Sequence, residues 1–177
     1  MQRRGLVGER CDERCHDTRG RTAVLAPGEG VHVTTSAVMG PYVIAIDHVG
    51  VAVPDLEAAK AWYLERLGFP CVHEEVNEEQ GVREAMLAVG GSGSYVQLLA
   101  PLSDDSTIAR FLDRHGPGVQ QVAYRVRDLD RLCTELRARG ARLLYDEPRR
   151  GTSASRVNFI HPKDAGGVLI ELVEPAG

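Results

Sequence analysis

Residues 119–130 read VQQVAYRVRDLD and residues 46–57 read IDHVGVAVPDLE, the same apolar beat closed by Asp, Leu and an acid. In each stretch an alternation of period two predicts a β-strand. The closing Asp then opens a segment of helical period. In the first copy this is DLEAAKAWYLERLGF, apolar at Leu56, Ala59, Trp62, Tyr63 and Leu67 and stopped by Gly68; in the second it is RDLDRLCTELRARG, stopped by Gly140. Pro54 and Asp55 supply the helix-start signal. Three strands are expected after each helix, at about 70–77, 81–89 and 94–101, and then at ARLLYDEP (141–148), SRVNFIHP (155–162) and GVLIELVEP (167–175). The endings agree as well, since YVQLLAP at 95–101 matches LIELVEP at 169–175 and sets Gln97 against Glu171. Self-similarity at one long period is the mark of a duplicated unit. The expected fold class is α+β: two βαβββ modules in tandem, about 42–101 and 118–177, enclosing a concave cavity in a mixed β-sheet.

Because side chains alternate along a strand, the repeat assigns faces. Val49, Val51 and Val53, with Val122, Tyr124 and Val126, are placed toward the helices. The opposite face then carries Ile46, His48, Gly50 and Ala52 in one copy and Gln121, Ala123 and Arg125 in the other. Gln120 is expected on the helix side. Gln97 and Glu171 interrupt apolar closing strands, where an unpaired polar group costs about 1–3 kcal/mol if buried. A pseudo-twofold arrangement brings His48, Gln97, Gln121 and Glu171 to one space. One divalent cation would satisfy all four, or the four form a polar network of their own. The donor set is oxygen-rich and fairly hard, favouring Co2+, Mn2+, Mg2+, Ni2+ or Fe2+ in six-coordination with two open positions over a tetrahedral structural zinc.

The remaining composition narrows the classes of function. With 43% hydrophobic and 26% charged residues the chain matches an average globular protein, and a net charge of -4 offers no basic excess for a phosphate backbone. No nucleic-acid or membrane partner is expected, because no apolar run approaches the length of a membrane span and no signal-like apolar segment opens the chain; a cytoplasmic location is the corresponding expectation. Residues 1–41 lack a sustained period and are expected to be disordered or an over-extended start. Cys11, Cys15 and His16 lie there without the second ligand pair a zinc site needs. Cys71 and Cys133 are expected as free buried thiols.

Paired βαβββ modules around four such residues resemble the vicinal oxygen chelate, or glyoxalase-like, superfamily. Within it, EEVNEEQGVREAML, YVQLLAPLSDDSTIARFLDRHGPG, RLLYDEPRRGT and NFIHPKDAGGVLIELVE resemble the methylmalonyl-CoA epimerases, over about residues 44–175. The resemblance implies a metal-dependent epimerase that interconverts (2R)- and (2S)-methylmalonyl-CoA through an enolate chelated by a divalent cation, Co2+ before Mn2+, Mg2+, Ni2+ or Zn2+, and it implies a homodimer acting on an acyl-CoA thioester. It assigns the metal ligands to His48, Gln97, Gln121 and Glu171, and the proton-transferring carboxyls to Glu84 and Glu171. The chain departs from the family at one ligand, carrying Gln120 and Gln121 where the family has His-His.

Alternation in GVREAML puts Glu84, Met86 and Ala88 on one face, so an apolar cavity wall is expected to raise the Glu84 pKa. Arg125 on the cavity face and Lys163, Arg149 and Arg150 in loops are candidates for a carboxylate or CoA phosphates. His161 is expected at the pocket rim, and His73 and His115 in solvent. Rival readings are a glyoxalase I, for which Gln97 stands where a basic Glu is needed; an extradiol dioxygenase, which needs a second His; and a non-catalytic binder of a small acid or acyl thioester.

Overall fold

The structure, a computed structural model, describes residues 38–176 and two short strands nearer the start, β1 (Cys15–His16) and β2 (Thr22–Ala23). The two form an antiparallel pair, Cys15 opposite Ala23. The rest of the first 37 residues, with the side chains of the Cys11, Cys15 and His16 cluster, lies outside the described residues. The main unit begins earlier than the periodicity suggests, because Val38 and Met39 pack against the core of the second module.

Six elements of the first module are β3 (Val43–Ala52), α1 (Leu56–Leu67), β4 (Cys71–Asn77), β5 (Val82–Ala88), β6 (Tyr95–Pro101) and α2 (Thr107–His115). The second comprises β7 (Gly118–Val126), α3 (Leu129–Ala138), β8 (Arg149–Arg150), β9 (Arg156–Ile160) and β10 (Leu169–Glu174). One sheet runs β4-β5-β6-β3-β7-β10-β9-β8, mixed in direction. Its symmetry is that of the repeat: β3 runs parallel to β6, β7 runs parallel to β10, and β3 meets β7 antiparallel at the centre. Two outer cores fix the helices. Val51, Val53, Leu56, Ala85, Leu87 and Leu98 hold α1, and Val126, Leu129, Leu132, Cys133 and Leu172 hold α3.

The expected helix boundaries hold for physical reasons. Asp55 caps α1 by accepting from the Ala58 N–H, and Gly68 ends it at φ 69°, a left-handed conformation that suits glycine. Only Leu56, Ala59 and Tyr63 of its apolar residues turn inward, while Trp62 and Leu67 are about half exposed.

Three expectations are corrected. Helix α2, capped by the Ser106 hydroxyl, was not foreseen; Ile108 packs on Ala52, Val82 and Leu99, so it closes one end of the concave face. The strand expected at 141–148 is not one. Leu143 bridges Ile160 and the Leu144 N–H donates to Phe159, but at Tyr145 the Asn158 carboxamide takes both the N–H and the carbonyl, ending the ladder. Cys133 is a buried thiol, as expected, whereas Cys71 on β4 is exposed.

Candidate active site

Two of the three register shifts between β3 and β7 shape the centre of the sheet. Along β3 the pairing passes from Ile46 to His48, leaving Asp47 as an extra residue; along β7 it passes from Gln121 to Val119, leaving Gln120 extra. Each bulge immediately precedes the candidate ligand of its module, and each sits at the same place in the repeat. A bulge re-aims neighbouring side chains. It sets Asp47 beside His48 on the cavity side and sends Ile46 with Tyr124 to the other face, and it directs Gln120 into a pocket of about 240 Å³ shared with Gln121, Leu99 and Ile108. Ile46 on the cavity and Gln120 on the helix side are therefore both corrected, because strict alternation fails at a bulge.

His48, Gln97, Gln121 and Glu171 converge from β3, β6, β7 and β10, all buried. His48 Nε2 lies 3.0 Å from Glu171 Oε2. The Gln121 amide nitrogen donates to Glu171 Oε2 at 2.5 Å and to Gln97 Oε1 at 3.3 Å, and stands 3.4 Å from His48 Nε2. Gly50 makes room for it: a Cβ there would approach the Gln121 Cγ to 2.6 Å. Behind the ring, His48 Nδ1 lies 3.1 Å from Asp47, which accepts from Arg125 Nε at 2.7 Å. Burial alone would depress the His48 pKa, but the bonds to Asp47 and Glu171 outweigh it and raise it to about 9.

Glu84, only 2% exposed, sits off the ring on β5 and is tied to it through Gln97, whose nitrogen donates to Glu84 Oε2 at 2.9 Å. Thr152 donates to Glu84 Oε1 at 2.8 Å and accepts from the same Gln97 nitrogen. Burial is the largest influence on Glu84, and with neighbouring Glu75 and Glu171 it pushes the carboxyl up to about 7. A cavity of about 620 Å³ opens over this group, lined by His48, Met86, Tyr95, Arg125, Thr152 and Glu171 among others.

Arg125 thus faces the cavity as expected, though its guanidinium is committed to Asp47 and the Gly93 carbonyl. Lys163 lies exposed in the turn Pro162–Asp164, outside the residues lining either pocket; His161 receives its backbone N–H there. Arg149 pairs with Glu79 and stacks over Tyr145. His73 is not simply solvated, since it lines the large cavity and bonds Glu75 at 2.6 Å. Asp47 was missed because alternation points it away from His48. Thr152 was missed because its placement depends on left-handed backbone at Ser153 and Ala154, which neither residue type announces.

The profile of the Glyoxalase/Bleomycin resistance protein/Dioxygenase superfamily matches residues 47–159. The crystal structure of methylmalonyl-CoA epimerase from Mycobacterium tuberculosis superposes with a TM-score of 0.76 at 57% identity, covering 82% of this chain and 95% of that one. Streptomyces coelicolor methylmalonyl-CoA epimerase, solved in complex with 2-nitronate-propionyl-CoA, gives a TM-score of 0.73 at 47% identity, covering 76% and 99%. The ethylmalonyl-CoA/methylmalonyl-CoA epimerase of Cereibacter sphaeroides is 36% identical over 129 residues, 72% of this chain and 95% of that protein. The chain is an enzyme of the methylmalonyl-CoA epimerase family, within the glyoxalase superfamily.

Proposed function

We propose that the protein interconverts (2R)- and (2S)-methylmalonyl-CoA by removing the C2 proton to Glu84 on one face and returning a proton from Glu171 on the other. The observation that carries this reading is a Glu84 carboxyl raised to about 7, buried, off the four-residue ring and hydrogen-bonded to Gln97 and to Thr152, which lines the cavity. A base near the working pH, fixed by two hydrogen-bond donors, suits proton abstraction next to a thioester. An acyl-CoA is the matching substrate class, since a relative of 47% identity was solved with an acyl-CoA compound. The cytoplasmic location and the homodimer expected from the sequence belong to the same proposal.

Members of this superfamily generally bind a divalent cation. Four buried groups from four strands meet here, Gln121 lying 2.5–3.4 Å from each of the other three and His48 3.0 Å from Glu171, and their chemistry fits such an ion once the Gln121 carboxamide presents its oxygen. His48, Gln97, Gln121 and Glu171 would hold it, with Co2+ first as the family resemblance implies. When bound, the cation would offset the negative charge that develops on the thioester oxygen. Asp47, anchored by Arg125, accepts the Nδ1–H of His48 and so leaves Nε2 as the free donor. Arg125, its side chain 29% exposed, retains a face toward the cavity that a substrate carboxylate could meet.

A second reading keeps the cradle and drops the turnover. It is favoured by Gln121, whose two N–H bonds to Glu171 and Gln97 close the ring as a polar network. Solvent deuterium uptake at C2 of methylmalonyl-CoA, with and without Co2+, decides. The proposed enzyme incorporates deuterium and Glu84→Gln abolishes epimerisation while sparing binding; bound substrate without exchange in the wild type supports the binder.

A further inference from the structure

Two-sided proton transfer leaves a debt after each turnover. If Glu84 takes the proton from C2 and Glu171 supplies the new one, Glu84 ends protonated and Glu171 ionised. The next substrate of the same hand needs the reverse. One proton must leave Glu84 and one must reach Glu171 before the enzyme can repeat the conversion. Glu171 lines the open cavity and can take its proton from solvent there. Glu84 is 2% exposed and is not among the residues that line that cavity.

Three groups touch the Glu84 carboxyl. The Gln97 amide donates to it and cannot carry a proton away. The Thr152 hydroxyl already donates to Glu84 and accepts from Gln97, so its place in the chain is filled at both ends. The third group is Glu75. It stands directly opposite Glu84 in the β4-β5 ladder, so the two side chains share a face of the sheet, and the loop that brings Thr152 to Glu84 brings the Ser153 N–H to Glu75. From Glu75 the line continues outward. His73 Nε2 lies 2.6 Å from Glu75 Oε2, and exposure grows along the path, from 21% of the Glu75 side chain to 37% of that of His73. The spacing of two residues along β4 keeps both on one face of the strand.

We propose that Glu75 and His73 form the proton path between Glu84 and solvent, resetting the enzyme after each conversion. The Glu84 O–H breaks as a Glu75 O–H forms; the proton then passes to His73 Nε2, and the imidazole releases its other proton from Nδ1 to water. No electrons move, and the reverse sequence serves substrate of the opposite hand. Neither residue touches the reacting carbon, so both act through Glu84. This inference rests on Glu84 as the base.

Single-turnover and steady-state kinetics with 2-deuterated methylmalonyl-CoA separate the steps. His73→Ala should abstract the first C2 deuteron within about twofold of wild type, yet lose about tenfold or more in kcat with KM falling in step, so that kcat/KM is kept. Added imidazole should restore kcat in a concentration-dependent way, an effect that a merely structural His73 would not show. Glu75→Gln should give the same split without rescue. The path is overturned if both variants keep the wild-type kcat, or if they lose the first turnover as fully as the steady state and imidazole restores nothing. Glu84→Gln reports separately on the base. If it still interconverts the two epimers at the wild-type rate, the assignment of Glu84 fails, whatever His73 does.

Discussion

The two halves of the sheet follow one pattern, yet only one carries a buried carboxylate off the ring. In the first half Gln97 pairs with Met86 and Leu99 with Glu84; in the second Glu171 pairs with Phe159 and Val173 with Val157. Val157, fully buried, therefore stands where Glu84 stands. The ring positions have remained a matched set, His48 with Gln121 and Gln97 with Glu171, while the flanking strands have diverged. Beside Glu84 a long ladder of β4 and β5 carries Glu75 and His73; beside Val157 the ladder is interrupted at Asn158 and resumes only over Arg149 and Arg150, after which the chain brings Thr152 and Ser153 to Glu84 and Glu75. Duplication can supply a shared ring by symmetry, but a base on one side of a substrate requires that symmetry to be broken.

The largest effect expected from breaking the comparison is at Glu84. Glu84→Gln removes the carboxylate that one half has and the other lacks, and should lower epimerisation by about 10² to 10⁴-fold. The wild-type rate should carry the signature of the same burial. With the carboxyl at about 7 the base form is lost as pH falls through 7, so kcat/KM should drop about tenfold per pH unit below it, far above the usual carboxylate range. The stability sign runs the other way: a raised acid costs folding free energy as pH climbs from its unfolded value toward 7. Glu84→Gln should therefore be more stable than wild type at pH 8, by up to about 3 kcal/mol in denaturant titration. Equal stability at pH 8 would remove the burial argument.

At Asn158 the comparison can be broken from the other side. Its carboxamide bonds Tyr145 twice and reaches Cys133, so Asn158→Ala should cost about 2–3 kcal/mol and lower activity by loosening the Thr152 loop. Gly50→Ala should cost about 1–3 kcal/mol, since the new Cβ collides with Gln121, while Gly118→Ala, two strand positions outside the ring with nothing within 4 Å, should be nearly silent. The smallest change sharpens the ring itself. Gln121→His should tighten Co2+ binding about tenfold by calorimetry, because imidazole is the better donor; unchanged affinity would show that Gln121 is not a ligand.

Much of this was legible because period two and period 3.6 are local. The strand at 43–52, both long helices with their glycine stops, and the pairing of His48 with Gln121 follow from spacing alone. Glu84 could be placed on the cavity face by counting along β5. Three failures share a cause. Ile46, Asp47 and Gln120 were turned the wrong way because a bulge adds a residue that only pairing reveals; the strand at 141–148 failed because a side chain from β9 displaced its ladder; and His73 looked like a surface histidine because its partner is a carboxylate two residues on, itself opposite Glu84 across the sheet.

Sequence by itself determined the duplication, the fold class and the four residues of the ring, since a repeated alternation fixes which side chains share a face wherever the strand is regular. Tertiary structure decided what surrounds that ring: Thr152 arriving on a left-handed loop, Asp47 bracing His48 from a bulge, α2 closing the cavity floor, and the line from Glu84 through Glu75 to His73. Those relations join residues distant in the chain or turned by irregular backbone, and neither distance in space nor a register shift leaves a period to read.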